Sequence, residues 1–378
     1  MKKRNLRNLI LLCVSAFLIA LCAFSPALCV TLDHYGFIWD CEYGMRNVNN
    51  LIPEGTGWHI STPRAINDNG QIAGWGYLNG TERHFLLTPK NNGRYDVTAL
   101  PQNWGDDNLN NRGEIAGCIH NRDEYRAALR TQQGKVVDLG SLGMGNVFAM
   151  GLNDKTQVVG GGYYETPTPS FPPHLLNTYA FIWDEANGMR QIPTPGATHP
   201  VAYDINDKGQ IVWADKPHAF FIDTDGTNVD IGSFGGSYIN PEDINNYAQV
   251  AGWGLDTEQR SHPFIWTEEE GLVELGQAGV DYSIQAFAQA INDQGQIVGR
   301  YDDEKGNYAF IWDEAKGIQS LGWLGGSTTG PGAFSQAIGI NNYGQVVGFS
   351  NVPEPTTLLL LGSGLAGLAV VRRKFRKK

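Results

Sequence analysis

The chain has 378 residues, of which 18% are charged, and it contains 47 Gly and 41 Trp, Tyr and Phe in total. Many Gly residues together with many aromatic side chains are typical of short strands joined by turns, and they argue against a mainly helical fold. Between the two terminal segments described below, residues 30–351 carry 18 Lys and Arg against 38 Asp and Glu, a formal net charge of −20. A surface this acidic repels phosphate backbones, so we expect no nucleic acid partner.

The first 29 residues have the pattern of a secretory signal peptide. Four basic residues lie within the first seven positions, and residues 9–24 form an apolar stretch. Small residues then allow cleavage after Ala27 or Cys29. We therefore expect residues 1–29 to be a removable signal. The alternatives are an uncleaved membrane anchor, or lipidation at Cys22 or Cys29, which the Leu before each cysteine disfavours.

One phrase recurs seven times along the chain. Its first complete copy, at residues 65–74, reads Ala-Ile-Asn-Asp-Asn-Gly-Gln-Ile-Ala-Gly. The Asn that anchors each copy recurs at intervals of 43, 43, 53, 39, 47 and 49 residues, which is the usual length of a four-stranded propeller blade. These anchoring residues are Asn67, Asn110, Asn153, Asn206, Asn245, Asn292 and Asn341.

The repeated phrases predict four strands in each repeat. Asn-Asp-x-Gly fits a type I turn that ends in a Gly with positive φ, which joins two antiparallel strands, a and b. A second phrase, Phe-Ile-Trp at residues 37–39 and six relatives, predicts strand c, and a strand that often ends in Leu-Gly predicts strand d. Thr156 and Ala248 replace the turn Gly, and Trp213 replaces a Gly of strand b. We expect local irregularities in those repeats.

The order of the phrases predicts how the fold closes. The chain opens with a c and a d strand and ends with an a and a b strand, so its two ends can complete one blade between them. Closing the ring buries both faces of every sheet, whereas an open solenoid would need polar caps. We therefore predict an all-β fold, a seven-bladed β-propeller with two-plus-two strand closure at residues 33–351. It lies between an N-terminal signal segment and a C-terminal hydrophobic helix.

The three linked phrases resemble the probable extracellular repeat of the HAF family. That family is named for His-Ala-Phe, which occurs here at residues 218–220. The resemblance extends over roughly residues 35–350. It implies an exported repeat protein and does not define an activity.

The C-terminus combines three features in a fixed order. The motif Val352, Pro353, Glu354 and Pro355 precedes an apolar run at residues 358–371, which is 14 residues long and so shorter than the ~20 residues of a typical spanning helix. A basic cluster follows, and such a cluster can hold a short span with its charges on the cytoplasmic side. The cluster consists of Arg372, Arg373, Lys374, Arg376, Lys377 and Lys378.

Residues 352–378, with these three features, resemble the PEP-CTERM sorting signal of Gram-negative envelope proteins. The resemblance implies that an exosortase recognises the signal and cleaves near the motif. It also implies a precursor that is transiently anchored in the inner membrane by a transmembrane helix, and a mature protein at the outer surface or in the extracellular matrix. The alternative is a plain C-terminal membrane anchor.

Long insertions indicate which end of the predicted propeller carries function. The a–b and c–d turns share one face, and the b–c and d–a loops share the other, where the insertions at residues 165–177, 277–284 and 323–332 fall. Since loops carry function on a rigid scaffold, we expect this loop face to bind a ligand. Its candidate residues are Trp58, Trp104, Asp106, Asp107, Tyr238, Asp281, Tyr282 and Trp323. The alternative is that the aromatic residues only plug the channel mouth or pack beneath loops.

No recognisable catalytic motif accompanies the repeats. The sequence has no Gly-x-Ser-x-Gly elbow, phosphate loop or dinucleotide fingerprint, and none of its eight His has metal-ligand spacing. The turn Asp residues stand alone, and Asn replaces them in three repeats, so turn chemistry explains them better than Ca²⁺ does. We expect no cofactor, and a non-enzymatic binding or structural module for extracellular polysaccharide or a surface protein. The alternative is a propeller hydrolase or lyase that acts on extracellular polysaccharide with Asp106, Asp107 or Asp281 as acid or base.

Overall fold

The computed structural model describes residues 34–352, except 122–123, 144, 166–174, 277–284, 305 and 326–332. These residues belong to the larger of two units, His34–Lys378. The predicted signal peptide and the apolar and basic parts of the sorting signal lie outside them. The described residues form 28 strands and one short 3-10 helix, Val48–Asn50. None of their helices is long and apolar enough to cross a membrane.

The strands form antiparallel sets of four, which we number as sheets 1 to 7. Sheet 1 combines the two ends of the described chain, β1 (His34–Asp40), β2 (Gly44–Asn47), β27 (Ala333–Ile340) and β28 (Val346–Asn351). Sheet 2 contains β3 (Trp58–Ile66), β4 (Ile72–Leu78), β5 (Thr81–Pro89) and β6 (Tyr95–Ala99). Sheet 3 contains β7 (Trp104–Leu109), β8 (Ile115–Asn121), β9 (Glu124–Arg130) and β10 (Val136–Asp138).

The remaining strands continue the same a-b-c-d order. Sheet 4 contains β11 (Asn146–Leu152), β12 (Val158–Glu165), β13 (Leu175–Asp184) and β14 (Gly188–Gln191). Sheet 5 contains β15 (Val201–Ile205), β16 (Ile211–Asp215), β17 (His218–Ile222) and β18 (Asn228–Gly232). Sheet 6 contains β19 (Gly235–Ile244), β20 (Val250–Asp256), β21 (Ser261–Thr267) and β22 (Gly271–Glu274). Sheet 7 contains β23 (Ala286–Ile291), β24 (Ile297–Asp303), β25 (Gly306–Asp313) and β26 (Gly317–Gly322).

Sheet 1 is assembled from both ends of the described chain. Strand β28 pairs antiparallel with β1, with Val346 opposite Trp39 and Asn351 opposite His34. Strand β27 also pairs in parallel with β25 over two residues, which joins sheets 1 and 7 into one eight-stranded sheet. The other five sheets have four strands each in the described residues.

The core lies between successive sheets. Five c-strand Phe side chains are completely buried there; they are Phe37, Phe85, Phe181, Phe264 and Phe310. Burying one such ring contributes roughly 2–3 kcal/mol. Each of seven buried clusters combines residues from two neighbouring sheets, and one of them joins Val298 of sheet 7 to Phe37 of sheet 1.

Candidate functional site

The seven a–b turns are linked to one another by their anchoring Asn residues. The side-chain Nδ2 of each anchoring Asn donates to the backbone oxygen of the anchoring Asn in the next sheet, at 2.9–3.0 Å. The series starts at Asn67 and returns to it from Asn341. Each anchoring Asn is buried, so these bonds satisfy amide groups that would be costly to leave unpaired.

A second series joins the same turns one residue further along. The backbone N–H of each residue donates to the side-chain Oδ1 of its counterpart in the next sheet, at 2.7–2.9 Å. We call these residues the turn ring; its members are Asp68, Asn111, Asp154, Asp207, Asn246, Asp293 and Asn342. The predicted turn chemistry of the repeated Asp residues therefore extends between sheets, because each one accepts a bond from its neighbour.

The turn ring has one pair of neighbouring acidic residues, Asp154 and Asp207. Asn111 separates two carboxylates and donates to both, at 3.2 Å to Asp68 and 3.1 Å to Asp154. Seven positions cannot alternate Asp and Asn throughout, so Asp154 and Asp207 are neighbours. Burial, and then the charge of Asp207, raise the pKa of Asp154. Among the described residues, no group of three or more His, Cys, Asp and Glu has an arrangement that could hold a metal ion.

An axial cavity of about 380 Å³ lies next to the turn ring. It is lined by strand a of each of the seven sheets. Its wall beyond the turns carries the charged residues Arg64, Asp107, Asp204, Glu242 and Asp243. Four of these five are acidic. The cavity is therefore polar and anionic, which does not suit an acidic ligand.

The carboxyl groups of Asp204 and Asp243 are hydrogen-bonded to each other. Asp204 also accepts from the backbone N–H of Ile244 at 3.2 Å, and Asp243 accepts from that of Ile291 at 2.8 Å. Burial raises the pKa of both carboxyls, and the charge of Asp243 raises that of Asp204 further. The pair therefore keeps a proton above the pH at which an isolated carboxyl loses it, with Asp204 as donor to Asp243.

Two further acids line the cavity. Glu242 accepts from the indole Nε1 of Trp253 at 2.8 Å and from Asn240 at 2.9 Å, and burial raises its pKa. The buried carboxylate Oδ2 of Asp107 lies 2.7 Å from Nδ1 of His84. The axial cavity therefore brings together four acidic side chains beyond the turns, and only Asp107 among them was predicted as a ligand residue.

The structure distributes the predicted ligand residues over several sheets. Trp58 is half-buried with its ring edge-on to Phe85, and Trp323 is half-buried after β26. Trp104 is only 4% exposed, because it packs in the cluster between sheets 2 and 3; the expectation that it is exposed was wrong. Asp281, Tyr282 and the side chain of Asp106 lie outside the described residues.

Tyr238 belongs to a series of stacked side chains that sequence reasoning missed. Its ring stacks on Trp253, with centroids 5.2 Å apart, and Trp253 lies edge-on to Phe287 of sheet 7, at 5.0 Å. The series is flanked by two cations, Lys216 over Tyr238 and Arg300 over Phe287. The three aromatic residues are half-buried. They lie in the strand halves remote from the a–b turns, and so at the loop face.

A comparable series crosses sheets 3 and 4. His120, Tyr125, Phe148 and Tyr163 follow one another with centroid separations of 4.7, 5.1 and 6.0 Å. Trp253 of the first series is the fourth residue of its b strand, a position that is also aromatic at Trp75 and Phe349, whereas none of these four residues has that position. A lateral cavity of about 440 Å³ lies beside this series, between sheets 4 and 5.

Comparison with known proteins identifies one segment of the chain. Residues 351–374 match the family described as the PEP-CTERM protein-sorting motif. The predicted sorting signal is therefore confirmed, and it supports an exported protein that is sorted to the cell envelope. No curated protein matches the chain.

Several solved structures resemble the fold. Two structures of a puromycin hydrolase have TM-scores of 0.50 at 13% and 14% identity; the match covers 85% and 77% of this chain but only 59% and 52% of theirs. The β-propeller domain of the Trilobed protease from Pyrococcus furiosus has a TM-score of 0.49 at 11% identity, over 68% of this chain and 82% of the domain. An oligogalacturonate lyase in complex with manganese also has a TM-score of 0.49 at 11% identity. That match covers 77% of this chain and 89% of the lyase chain. Propellers are thus among the similar structures, and the chain is an all-β, exported protein that carries a PEP-CTERM signal.

Proposed function

We propose that this protein is a non-enzymatic, seven-bladed β-propeller that binds extracellular polysaccharide through its loop face. An exosortase would process its C-terminus. The observation that carries the binding assignment is the half-buried series Tyr238, Trp253 and Phe287, bordered by Lys216 and Arg300. Flat, partly exposed rings beside polar groups suit a ligand with both apolar and hydroxyl-bearing surfaces.

The pairing of the chain ends supports a closed ring of seven blades. Strand β28 pairs with β1, the buried clusters connect each sheet with the next, and the Asn series leads from sheet 1 back to sheet 2. In this proposal residues 33–351 form the propeller, and each blade is one HAF-type repeat. The closure would be two-plus-two, because each end of the chain supplies two strands of sheet 1.

The two hydrogen-bonded series of the opposite face also favour the loop face. They use the side chains of the anchoring Asn residues and of the turn ring, and the backbone N–H groups of the turn ring. A ligand would have to break those bonds to reach the groups, at a cost of roughly 1–3 kcal/mol for each buried group left unsatisfied. The stacked rings of the loop face impose no such cost.

The sorting signal supports a specific route to the surface. After removal of residues 1–29, the precursor would be held in the inner membrane by the segment after Pro355. Exosortase cleavage near residues 352–355 would then release the propeller to the outer surface or the extracellular matrix of a Gram-negative cell. Polysaccharide binding would retain the released protein there.

A matched pair of Tyr variants tests the binding assignment. The purified full-length chain is applied to an array of extracellular polysaccharides, and the affinity for the best ligand is measured by titration. Tyr238→Ala should weaken binding by about tenfold or more, because it removes a stacked ring. Tyr247→Ala is the control, since Tyr247 is 69% exposed on an a–b turn. Equal losses in both variants, or no polysaccharide bound by the wild type, would refute the assignment.

The axial cavity favours a second candidate function, a hydrolase or lyase that acts on extracellular polysaccharide. The proton shared by Asp204 and Asp243 would supply a general acid, and Asp107 beside His84 would supply a second carboxylate. Bond cleavage is measured as new reducing ends. Cleavage that disappears in Asp204→Asn or Asp107→Asn would replace the binding-only proposal. Binding without cleavage would exclude this second candidate.

A further inference from the structure

The lateral cavity between sheets 4 and 5 is lined by Gly161, which departs from the repeat. The fourth residue of each b strand projects toward the following sheet, as the ring of Trp253 does when it contacts Phe287 of sheet 7. A Cβ on Gly161 would point the same way, 3.2 Å from Cγ1 of Val201 in sheet 5. The residues at this position are Trp75, Cys118, Gly161, Ala214, Trp253, Arg300 and Phe349. Gly161 alone contributes no side chain, and it lines the lateral cavity together with Val201.

The walls of the lateral cavity suit a single ring. Phe148 and Tyr163 lie on the sheet 4 side with their planes 20° apart, and Val201 and Tyr203 lie on the sheet 5 side. The volume of about 440 Å³ falls in the range of small-molecule sites, roughly 300–1,000 Å³. Such a space accommodates one substituted six-membered ring between aromatic walls.

The rim of the cavity adds a cation to these walls. Lys216 lies at the rim, with Nζ 3.6 Å from the ring centroid of Tyr238. It forms no ion pair with any of the described residues. The neighbouring carboxylate of Asp215 is engaged, since it accepts from the backbone N–H of Thr198 at 2.7 Å and of His199 at 2.9 Å. The rim therefore offers a positive group to an incoming anion.

We propose that the lateral cavity binds one uronic acid residue, a pyranose ring that carries a carboxylate. The ring faces would lie against Phe148 and Tyr163, and the carboxylate would meet the ammonium of Lys216. This assignment rests on the proposed polysaccharide function and specifies its acidic sugar. Among the substituents of a sugar ring, a carboxylate is the one that forms a charge-assisted hydrogen bond with an ammonium group.

Two variants and three probes test this site on the purified full-length chain. The probes are glucuronate, glucose as the neutral sugar and phenylacetate as a non-sugar ring with a carboxylate, each followed by saturation-transfer NMR and titration. Glucuronate should bind measurably, and at least about tenfold more tightly than glucose. Lys216→Met should weaken glucuronate binding by about tenfold or more, because it removes the charge-assisted contact. Gly161→Phe, which carries the residue of sheet 1 at this position, should abolish it.

Specific results would overturn the assignment. Glucuronate binding that is unchanged in Lys216→Met, equal affinity for glucose, or tighter binding of phenylacetate would each do so. Lys216→Met changes a rim residue, so it remains informative if Gly161→Phe does not fold. If polysaccharide binding is lost in Tyr238→Ala but kept in both cavity variants, this site is wrong while the proposed function stands. If no polysaccharide binds, the proposed function itself fails.

Discussion

The side-chain amide of Asn341 donates a hydrogen bond to the backbone oxygen of Asn67, 274 positions away in the sequence, at 3.0 Å. Asn341 also donates to Gln345 within its own turn and accepts from the backbone N–H groups of Tyr343 and Gln345. One side chain thus fixes its turn and connects the last a–b turn to the first. The other six anchoring Asn residues make the corresponding bond to the next turn.

Replacement of an anchoring Asn tests whether the bond from the last a–b turn to the first contributes as much to stability as a bond between two internal turns. Asn341→Ala should lower the free energy of unfolding by roughly 2–3 kcal/mol, because it leaves buried backbone groups without partners. Asn206→Ala, which removes the equivalent bonds between sheets 5 and 6, is the matched comparison. Urea unfolding should give similar losses for both variants. A clearly smaller loss for Asn341→Ala would mean that sheets 1 and 2 are not joined as described.

Two turns have a non-Gly residue with positive φ, in repeats where the sequence predicted a local irregularity. Ala248 and Thr156 occupy the position of the turn Gly with φ of 62° and 60°, a conformation that costs about 1–2 kcal/mol for an L-residue. Ala248→Gly should therefore raise the free energy of unfolding by about 0.5–1 kcal/mol, after allowance for the greater freedom of Gly in the unfolded chain. The reverse change, Gly209→Ala at φ 94°, should lower it. Chemical denaturation measures both, and a loss of stability in Ala248→Gly would contradict the argument.

Thr156 should behave differently from Ala248. Its hydroxyl donates to Oε2 of Glu114 in the preceding sheet, at 2.7 Å. In the other six repeats a Gln occupies the position of Glu114 and the turn residue of the following repeat is Gly or Ala, so the Thr and the Glu form a matched pair. Thr156→Gly should gain little or no stability, because relief of strain is offset by the lost charge-assisted hydrogen bond. A gain as large as that of Ala248→Gly would show that this bond contributes nothing.

The paired carboxyls predict a falling stability as the pH rises. The folded-state pKa of Asp204 and Asp243 is raised above the unfolded value of about 3.9. Their favourable contribution is therefore complete below that unfolded value and is lost as the pH rises through the folded-state pKa. Asp204→Asn mimics the protonated donor, so its Tm should fall less than that of the wild type from pH 4 to pH 9. The exposed control Asp225→Asn should show no such benefit, and identical profiles for Asp204→Asn and wild type would contradict the shared proton.

The sorting signal predicts an effect on processing alone. Replacing Glu354 together with Pro353 and Pro355 by Ala should leave the precursor uncleaved and held in the membrane, because the recognised motif is gone. Immunoblots of membrane and released fractions measure the change in mass and location. Control replacements of residues 356–357, outside the Pro-Glu-Pro motif, should leave processing unchanged. Normal release of the triple variant would refute processing at this motif.

The positions of most strands could be predicted from the sequence, because the same pattern occurs in seven repeats. Alternating apolar positions give the strands, Asn-Asp-x-Gly gives the turn, and the c-strand Phe residues give the core. The pairing of the residues near Val346 with those near Trp39 was predicted from the order of strands alone, and β28 does pair with β1. A local pattern suffices here, since each turn and strand uses only the residues of its own repeat.

The bonds and cavities between sheets could not be predicted in the same way. The partner of Asn67 is a backbone atom of Asn110, and no feature of either residue identifies the other. Trp104 was expected on the surface, but its place at the start of an a strand directs it into the core between two sheets. Asp204 and Asp243 meet because neighbouring a strands approach each other closely along the axial cavity. The missing side chain at Gly161 was visible in the aligned repeats, and its meaning depends on knowing which sheet it faces.

A disulfide between the two ends of the described chain tests the closed propeller most directly. His34 and Asn351 are opposite each other in β1 and β28, at a separation that a disulfide can bridge between directly paired strands. In a Cys41→Ser background, His34→Cys with Asn351→Cys should form this bond under mild oxidation, and mass spectrometry should recover the cross-linked peptide. His34→Cys with Asn91→Cys, an exposed loop position of sheet 2, should not cross-link. If the variant with His34→Cys and Asn351→Cys folds but both thiols stay free, the two ends of the described chain do not close the ring.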